Sequence, residues 1–362
     1  MPMVVHVAYS GVGGTGSFVS GLCPRLRQAD GDTCRVVFYG VEPLHGDYGQ
    51  RLSNAGIAYS VVEKRRGIDL YSLYALSETI RCANPDVVVI HGGGTAWHWP
   101  LLRLMGVRGR MVLVEHGPES GCQGFSGFIR HAIGILCSGA VIAVSERLAE
   151  RLKSTFSALL RSKPLWSIPN GIDTEFFTPA VDARSSESLL MVGTLSASKD
   201  HATLIRALAL LARRHPVQLV LAGDGILRPR LERLAQECGI RERITFLGNV
   251  DREHLLRLYR QAAVFTFATK GEGSPLALLE AMSCGLPVVV SDVPGVREIL
   301  AGGERGSLVP PDHPAEMARA IERILGDAEF ARRMGANARQ YVETNHSVAR
   351  MAARYWEVLN AL

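Results

Sequence analysis

The residues best suited to chemistry lie between Thr266 and Val290. There the run Lys270-Gly271-Glu272-Gly273-Ser274-Pro275 follows an apolar, strand-like stretch and precedes Leu276–Cys284, whose composition predicts a helix with Gly285 as its C-cap. Pro275 suits the first helical position, where its missing N–H costs nothing, and Ser274 suits the N-cap. Gly271 and Gly273 let a ligand approach the backbone closely. Unpaired N–H groups and the positive end of a helix dipole make such a turn an anion site, suited to a diphosphate. Two carboxylates frame it. Glu272 precedes the turn and is expected to point into a cleft. Glu280 falls inside the helix among Leu276, Leu278, Leu279, Ala281 and Met282. A carboxylate there is costly to bury without partners, which two sugar hydroxyls would supply. The plainer alternative is an ordinary strand-to-helix turn with Glu280 on the helix surface.

A second glycine-rich turn, Gly11-Val12-Gly13-Gly14-Thr15-Gly16, directly follows the apolar run Val4–Tyr9 and satisfies G-x-G-x-x-G. A dinucleotide fingerprint also needs an acid about 20 positions on, at the end of the next strand. That strand ends at Tyr39-Gly40, and Glu42 falls a few residues late. A plain tight turn fits equally well. Two histidines end strands of the first half: His91 before Gly92-Gly93-Gly94, and His116 before Gly117-Pro118. Both are expected to face the cleft, although a strand-end histidine is often merely hydrogen-bonded. Neither has a Cys or acid partner at metal-ligand spacing, and no essential metal is expected. No G-x-S-x-G elbow, P-loop or H-E-x-x-H occurs.

These residues need elements to hold them. Apolar runs at Val4–Tyr9, Val36–Tyr39, Val87–His91, Met111–Glu115 and Ala140–Val144 read as strands. So do Leu189–Gly193, Gln218–Ala222, Ile244–Leu247, Val264–Ala268 and Val288–Ser291 in the second half. Val and Ile dominate and rarely alternate with polar residues, the mark of strands buried on both faces of a parallel sheet. Helical periodicity fills the intervals, as in Glu146–Lys153 after Ser145 as N-cap, and in Ala202–Arg214. Alternation of this kind predicts a doubly wound α/β fold, occurring twice. Thr174–Ser188 is the weakest stretch for regular structure and is expected to be a linker between a domain over residues 1–173 and one over 189–346. Residues 347–362 read as a helix with Met351, Tyr355, Val358 and Leu359 on one face, expected to pack back toward the first domain. Two such domains side by side would leave a cleft at the carboxyl ends of their strands, where open α/β sheets bind ligands.

Composition narrows the class. The 362 residues are 47% hydrophobic and 21% charged, ordinary for a folded chain of about two domains. The net charge of +5 is too small to argue for nucleic acid. It resides in residues 1–170, which carry 17 Lys and Arg against 12 Asp and Glu; the remainder carries 23 of each. The seven cysteines are scattered, with no CxxC pair, which argues against a disulfide framework or zinc ribbon and fits a reducing cytoplasm. The N-terminus lacks the basic n-region of a signal peptide. The longest apolar stretch, Ala132–Val144, falls short of the roughly 20 residues that span a bilayer; surface attachment remains open.

The pair Glu272 and Glu280, with Gly273, Pro275, Ala281 and Gly285, resembles the E-x7-E signature of the retaining glycosyltransferases of family 4, which have the GT-B fold. Further motifs follow in the family's order: Val144-Ser145-Glu146, Ile168-Pro169-Asn170-Gly171-Ile172-Asp173, Leu221-Ala222-Gly223-Asp224-Gly225, Phe246-Leu247-Gly248, and Ser291-Asp292-Val293-Pro294-Gly295 with Glu298. The likeness covers the whole second half and is looser in the first. It implies two Rossmann-like domains facing across a cleft. It implies that Glu272 contacts the donor-sugar hydroxyls, that Glu280 holds the nucleotide ribose, and that the backbone of Gly273, Ser274, Pro275 and Leu276 receives the diphosphate. The family's G-R-L-x-x-x-K pattern appears as Gly193-Thr194-Leu195-Ser196-Ala197-Ser198-Lys199. Lys199 would neutralise the leaving diphosphate, but Thr194 replaces the arginine, for which Lys270 is a candidate substitute. Val250 stands where backbone groups touch the base, Gly13 and Gly14 where a turn faces donor phosphates and acceptor, and His116 where a side chain contacts the transferred sugar, with His91 as second choice.

The resemblance thus implies a retaining transfer of a hexose or related sugar from a nucleotide-diphosphate donor to an acceptor hydroxyl, without a cofactor, in polysaccharide or lipid-linked glycan synthesis. The basic first half, with Arg103, Arg108, Arg110, Arg147, Arg151, Lys153, Arg161 and Lys163, is compatible with a lipid-linked acceptor at an anionic inner leaflet and with peripheral membrane contact. Two other readings stand beside it. Gly11–Gly16 suggests an NAD-dependent oxidoreductase, and the absent arginine at position 194 suggests a noncatalytic sugar-nucleotide-binding protein.

Overall fold

Apolar runs that cannot leave either face wet pair with one another. In the computed structural model they form two separate parallel sheets. It describes residues 2–362 apart from 12, 28–32, 66, 68, 118–123 and 181–186. The first sheet has seven strands: β1 (Val4–Ala8), β2 (Cys34–Gly40), β3 (Ala58–Glu63), β4 (Val87–His91), β5 (Arg110–Glu115), β6 (Ala140–Ala143) and β7 (Leu165–Ser167), in the order β3-β2-β1-β4-β5-β6-β7. The second has six: β8 (Ser188–Val192), β9 (Gln218–Ala222), β10 (Ile244–Gly248), β11 (Val264–Phe267), β12 (Val288–Ser291) and β13 (Ser307–Val309), in the order β10-β9-β8-β11-β12-β13. Both are doubly wound, Rossmann-like sheets whose strands alternate with helices. Strand order reverses between β1 and β4 in one sheet and between β8 and β11 in the other, and loops leaving such a switch point frame a ligand crevice.

The chain divides into two compact units, Met1–Gly171 with Val348–Leu362, and Ile172–Ser347. The helix Val348–Ala361 buries Met351, Tyr355, Val358 and Leu359. It packs on the helix Gly14–Leu26, with the rings of Phe18 and Tyr355 6.1 Å apart. Of the stretch read as a linker, residues 181–186 lie outside the described residues. Before them, Phe177 is buried in the second unit's core, and its carbonyl accepts from Ser283 Oγ at 2.6 Å. Ser145 caps the helix Glu146–Thr155 as expected, accepting from the Leu148 N–H at 3.2 Å.

The helix Leu276–Ser283 carries Glu280, and glycine fixes its far end. Gly285 adopts φ +66 just after it, and the Leu286 N–H returns to the Ala281 carbonyl at 3.1 Å, closing the last turn. Against that turn packs the helix Ala328–Asn345 through Gly335, where a Cβ would stand 2.2 Å from the Gly285 carbonyl oxygen. Backbone meets backbone here, so nothing flexible can yield. Gly335→Ala is therefore expected to destabilise the fold by about 1–3 kcal/mol, the usual cost of overpacking, as a lowered urea midpoint; an unchanged midpoint would show slack between these helices.

Candidate active site

The switch point of the second sheet brings the loops after β8 and β11 side by side. Backbone hydrogen bonds stitch them: the Asp200 N–H donates to the Ala268 carbonyl at 3.0 Å, and the Lys270 N–H to the Ser198 carbonyl at 2.9 Å. Lys199 lies between these two bonds. Its stem runs past Gly193, which follows β8, with carbons 3.8–3.9 Å from where a Cβ there would stand, an ordinary contact distance. The ammonium stands 4.9 Å above the Phe267 ring and pairs with Glu272. The Thr269 hydroxyl lies 2.9 Å from the same carboxylate oxygen. The Glu272 side chain is 10% exposed and that of Lys199 19%, so neither charge is turned into bulk water.

Glu272 is held from behind as well. A Cβ on Gly295 would stand 2.2 Å from the Glu272 carbonyl oxygen and 2.5 Å from that of Gly273. Only glycine lets the helix Pro294–Leu300 approach the turn so closely. The helix after the turn starts at Leu276, as its composition predicts, but Pro275 stands outside it and not at its first position. Pro275, with ψ 113, occupies the N-cap expected for Ser274, and its side chain makes no capping hydrogen bond. The extended ψ at Pro275 excludes it from the helix proper, and a proline at the cap has no hydroxyl or carboxylate to offer the first N–H groups. Leu276 packs part-buried against the core, so its contribution to a site is its backbone.

Glu280 is buried, 7% exposed, and its Oε2 accepts from the Tyr259 hydroxyl at 3.0 Å. Sequence reasoning sought that partner among sugar hydroxyls and missed the tyrosine, which sits 21 positions earlier on the helix Arg252–Gln261. Burial, then the Glu280 charge, raises the Tyr259 pKa well above its ordinary value, so it remains a proton donor. Val250 follows β10 and packs part-buried against the core. Thr194 is exposed. The Lys270 ammonium, suggested in place of the missing arginine, lies 3.7 Å from the exposed Asp312 carboxylate. Beside Lys199, His201 is buried with Nδ1 2.9 Å from the Lys199 carbonyl, and burial lowers its pKa to about 4.

In the first unit the glycine turn opens the helix Gly14–Leu26, with Gly13 at the N-cap. Tyr48 anchors it: the Gly13 N–H donates to the tyrosine oxygen at 3.2 Å, and the hydroxyl donates back to the Gly13 carbonyl at 2.9 Å. A Cβ on Gly16 would strike the Tyr48 ring at 2.2 Å and one on Gly11 the Glu42 carboxylate at 2.1 Å, whereas Gly13 faces nothing within 4 Å. Gly14 is exposed. His91 and His116 are brought together, His91 Nδ1 lying 2.9 Å from His116 Nε2. A third member was missed: His6 Nδ1 lies 3.0 Å from His91 Nε2. Burial, reinforced by the neighbouring histidines, holds His91 well below its ordinary pKa, and burial holds His116 at about 4. Both are therefore neutral hydrogen-bonding groups near pH 7. Behind them, Glu115 pairs with His131 at 3.3 Å, both buried, and the His131 ring occupies the space a Cβ on Gly93 would need.

The second of two doubly wound parallel sheets thus brings an ammonium and a carboxylate together at its strand ends, beside the N-terminus of Leu276–Ser283. A model described as Glycosyltransferase Family 4 matches residues 12–176, and one described as Glycosyl transferases group 1 matches residues 175–341. The GDP-mannose-dependent alpha-(1-6)-phosphatidylinositol monomannoside mannosyltransferase of Mycolicibacterium smegmatis is 30% identical over 281 residues, 72% of each chain. An uncharacterized glycosyltransferase of Methanocaldococcus jannaschii is 34% identical over 220 residues, 57% of this chain and 56% of that one, so the match spans about half the length of this relative. The crystal structure of Anabaena HepE in complex with UDP-glucose superposes with a TM-score of 0.83 at 18% identity, covering 100% of both chains. The chain belongs to the glycosyltransferases of the GT-B fold, of the family 4 and group 1 type. The glycine turn lies almost wholly within the Family 4 match, which removes the ground for the oxidoreductase reading.

Two outcomes test this geometry. Gly295→Ala is expected to displace the Glu272 turn and lower transferase turnover by about 10-fold or more, the scale of a small misplacement at a reacting centre, while circular dichroism stays unchanged; parental turnover would show that the turn tolerates the shift. His201 takes a proton near pH 6.5 when unfolded but only near 4 when folded. The unfolded chain thus binds more protons in that window, and stability should fall as pH drops from about 6.5 to about 4, by on the order of 3 kcal/mol from this residue. In His201→Asn the decline of Tm with pH should be shallower; an identical decline would assign it to other groups.

Proposed function

We propose that the chain transfers a sugar, with retention of anomeric configuration, from a nucleotide-diphosphate donor to an acceptor hydroxyl in polysaccharide or lipid-linked glycan synthesis. The observation that carries this reading is Lys199 held against Glu272 beside the N-terminus of Leu276–Ser283, whose N-cap is Pro275. The diphosphate rests on the backbone of Gly273, Ser274, Pro275 and Leu276, where N–H groups and the helix dipole favour negative charge. Lys199 neutralises the leaving group, the largest charge developing in the transition state. Glu272 orients the donor-sugar hydroxyls. Glu280, aligned by Tyr259, takes the ribose, and the backbone at Val250 meets the base. In the first unit neutral His116 hydrogen-bonds a sugar hydroxyl, and Gly13 and Gly14 leave room for donor phosphate or acceptor. The acceptor oxygen attacks C1 on the face the diphosphate leaves; the C1–O bond to phosphate breaks as the new one forms, and the acceptor proton passes to a departing phosphate oxygen. Orientation and charge neutralisation then supply the rate.

The relatives support the substrate classes: the mycobacterial enzyme is named for GDP-mannose and a phosphatidylinositol mannoside, and the Anabaena protein was crystallised with UDP-glucose. No helix among the described residues is long and apolar enough to cross a membrane. Exposed Phe125 and Leu136 on the helix Gly124–Cys137, together with the basic residues of the first half, support peripheral contact with an anionic membrane. The exposed Thr194 favours a second reading, sugar-nucleotide binding without transfer.

A thermal-shift screen of nucleoside diphosphates and their sugar conjugates should raise Tm for one donor class. With that donor, Glu272→Ala, Glu280→Ala and Lys199→Ala are each expected to cut turnover by about 10²-fold or more, and the product anomer seen by NMR should match the donor. Turnover within a few-fold of the parent in all three variants would sink the assignment. Binding with neither transfer nor donor hydrolysis would establish the second reading.

A further inference from the structure

We propose that His6, Cys23 and Cys34 form a buried binding site for one thiophilic metal ion of the Zn2+ class. His6 lies in β1 and Cys34 opens β2. The register pairs Val4 with Cys34 and His6 with Val36, which puts His6 and Cys34 on the same face of the sheet. The helix Gly14–Leu26 covers that face and brings Cys23 down onto it. One ligand atom from each residue lies within 4.8 Å of the other two, and all three residues are buried, at 0%, 0% and 2% exposure. Two sulfurs and an imidazole nitrogen are the donor set of many zinc sites, with a fourth position open to a small ligand.

Cysteine burial alone would not require a metal. The second observation is His6 Nε2, a fully buried polar atom without a hydrogen-bond partner. Its other ring nitrogen lies 3.0 Å from His91 Nε2, and His91 Nδ1 lies 2.9 Å from His116 Nε2. A single tautomer serves the whole row: each Nδ1–H donates to the next ring, which leaves the His6 Nε2 lone pair bare. Metal-bound histidines are usually held this way, donating the remote N–H to a partner that fixes the ring. A further buried polar atom without a hydrogen-bond partner, the Tyr355 hydroxyl, lies within electrostatic reach of Cys23 and is suited to hold a fourth ligand such as water. On binding, the two thiol protons leave to solvent and the ion takes two thiolates and the neutral imidazole.

The full-length protein, purified without chelator, is expected to carry about one zinc per chain by elemental analysis. Unfolded with EDTA and refolded with Co2+, it should show a thiolate-to-cobalt charge-transfer band and the visible bands of a tetrahedral ion. Cys23→Ala and Cys34→Ala should each lose these bands, whereas Cys82→Ala and Cys238→Ala should keep them. Should the two core variants fail to fold, the cobalt spectrum of the parent decides alone. Refolded parent protein without cobalt bands, bands that persist in folded Cys23→Ala, or a Cys23–Cys34 disulfide in place of metal would each overturn the proposal.

Discussion

The ion pair between Lys199 and Glu272 is the interaction on which the second unit's crevice depends. Neither residue could hold its place alone. Lysine is long and flexible, and Glu272 sits in a turn rich in glycine. What fixes them is backbone: the loops after β11 and β8 exchange hydrogen bonds on both sides of Lys199, so its stem leaves from a defined point. Glu272 is fixed by the close approach of Gly295 and by the Thr269 hydroxyl. A cation and an anion held in contact by their own loops are desolvated before any ligand arrives. Part of the cost of ordering a charged ligand is therefore already met on folding.

Much of the fold was legible because its central strands are buried on both faces and so spell continuous Val and Ile. Strands β1, β4 and β12 announce themselves in this way. Three others did not: β3, β7 and β13. Each lies at a sheet edge. β3 leaves five of its six residues exposed, and the other two are three residues long, too short for any period to register. The hydrophobic signal measures burial, and edges have least of it.

The site divides along a similar line. Glu272, Glu280 and Lys199 could be named because their spacing within loop and helix is local, and because a known family shares it. The partners that orient them are remote in the chain. Tyr259 reaches Glu280 only because the helices carrying them pack together. Gly295 matters only through the loop it touches. The row of His6, His91 and His116 follows from the spatial order β1-β4-β5, which places three distant residues in adjacent strands or just beyond them. A histidine in the middle of an otherwise apolar strand was the one sign available for His6, and it was read as part of the strand.

The path of the chain has a consequence of its own. Ile172 pairs with Ser347 in a short parallel bridge, so the two ends of the second unit are neighbours. Immediately outside them, the Gly171 N–H meets the Met351 sulfur at 3.1 Å within the first unit. In connectivity the second unit is thus a loop inserted into the first, entering and leaving at one seam. A segment with adjoining ends can be exchanged as a block by recombination, leaving the remaining polypeptide its route. Evolution could on that account shuffle one half of this architecture against the other by a single graft.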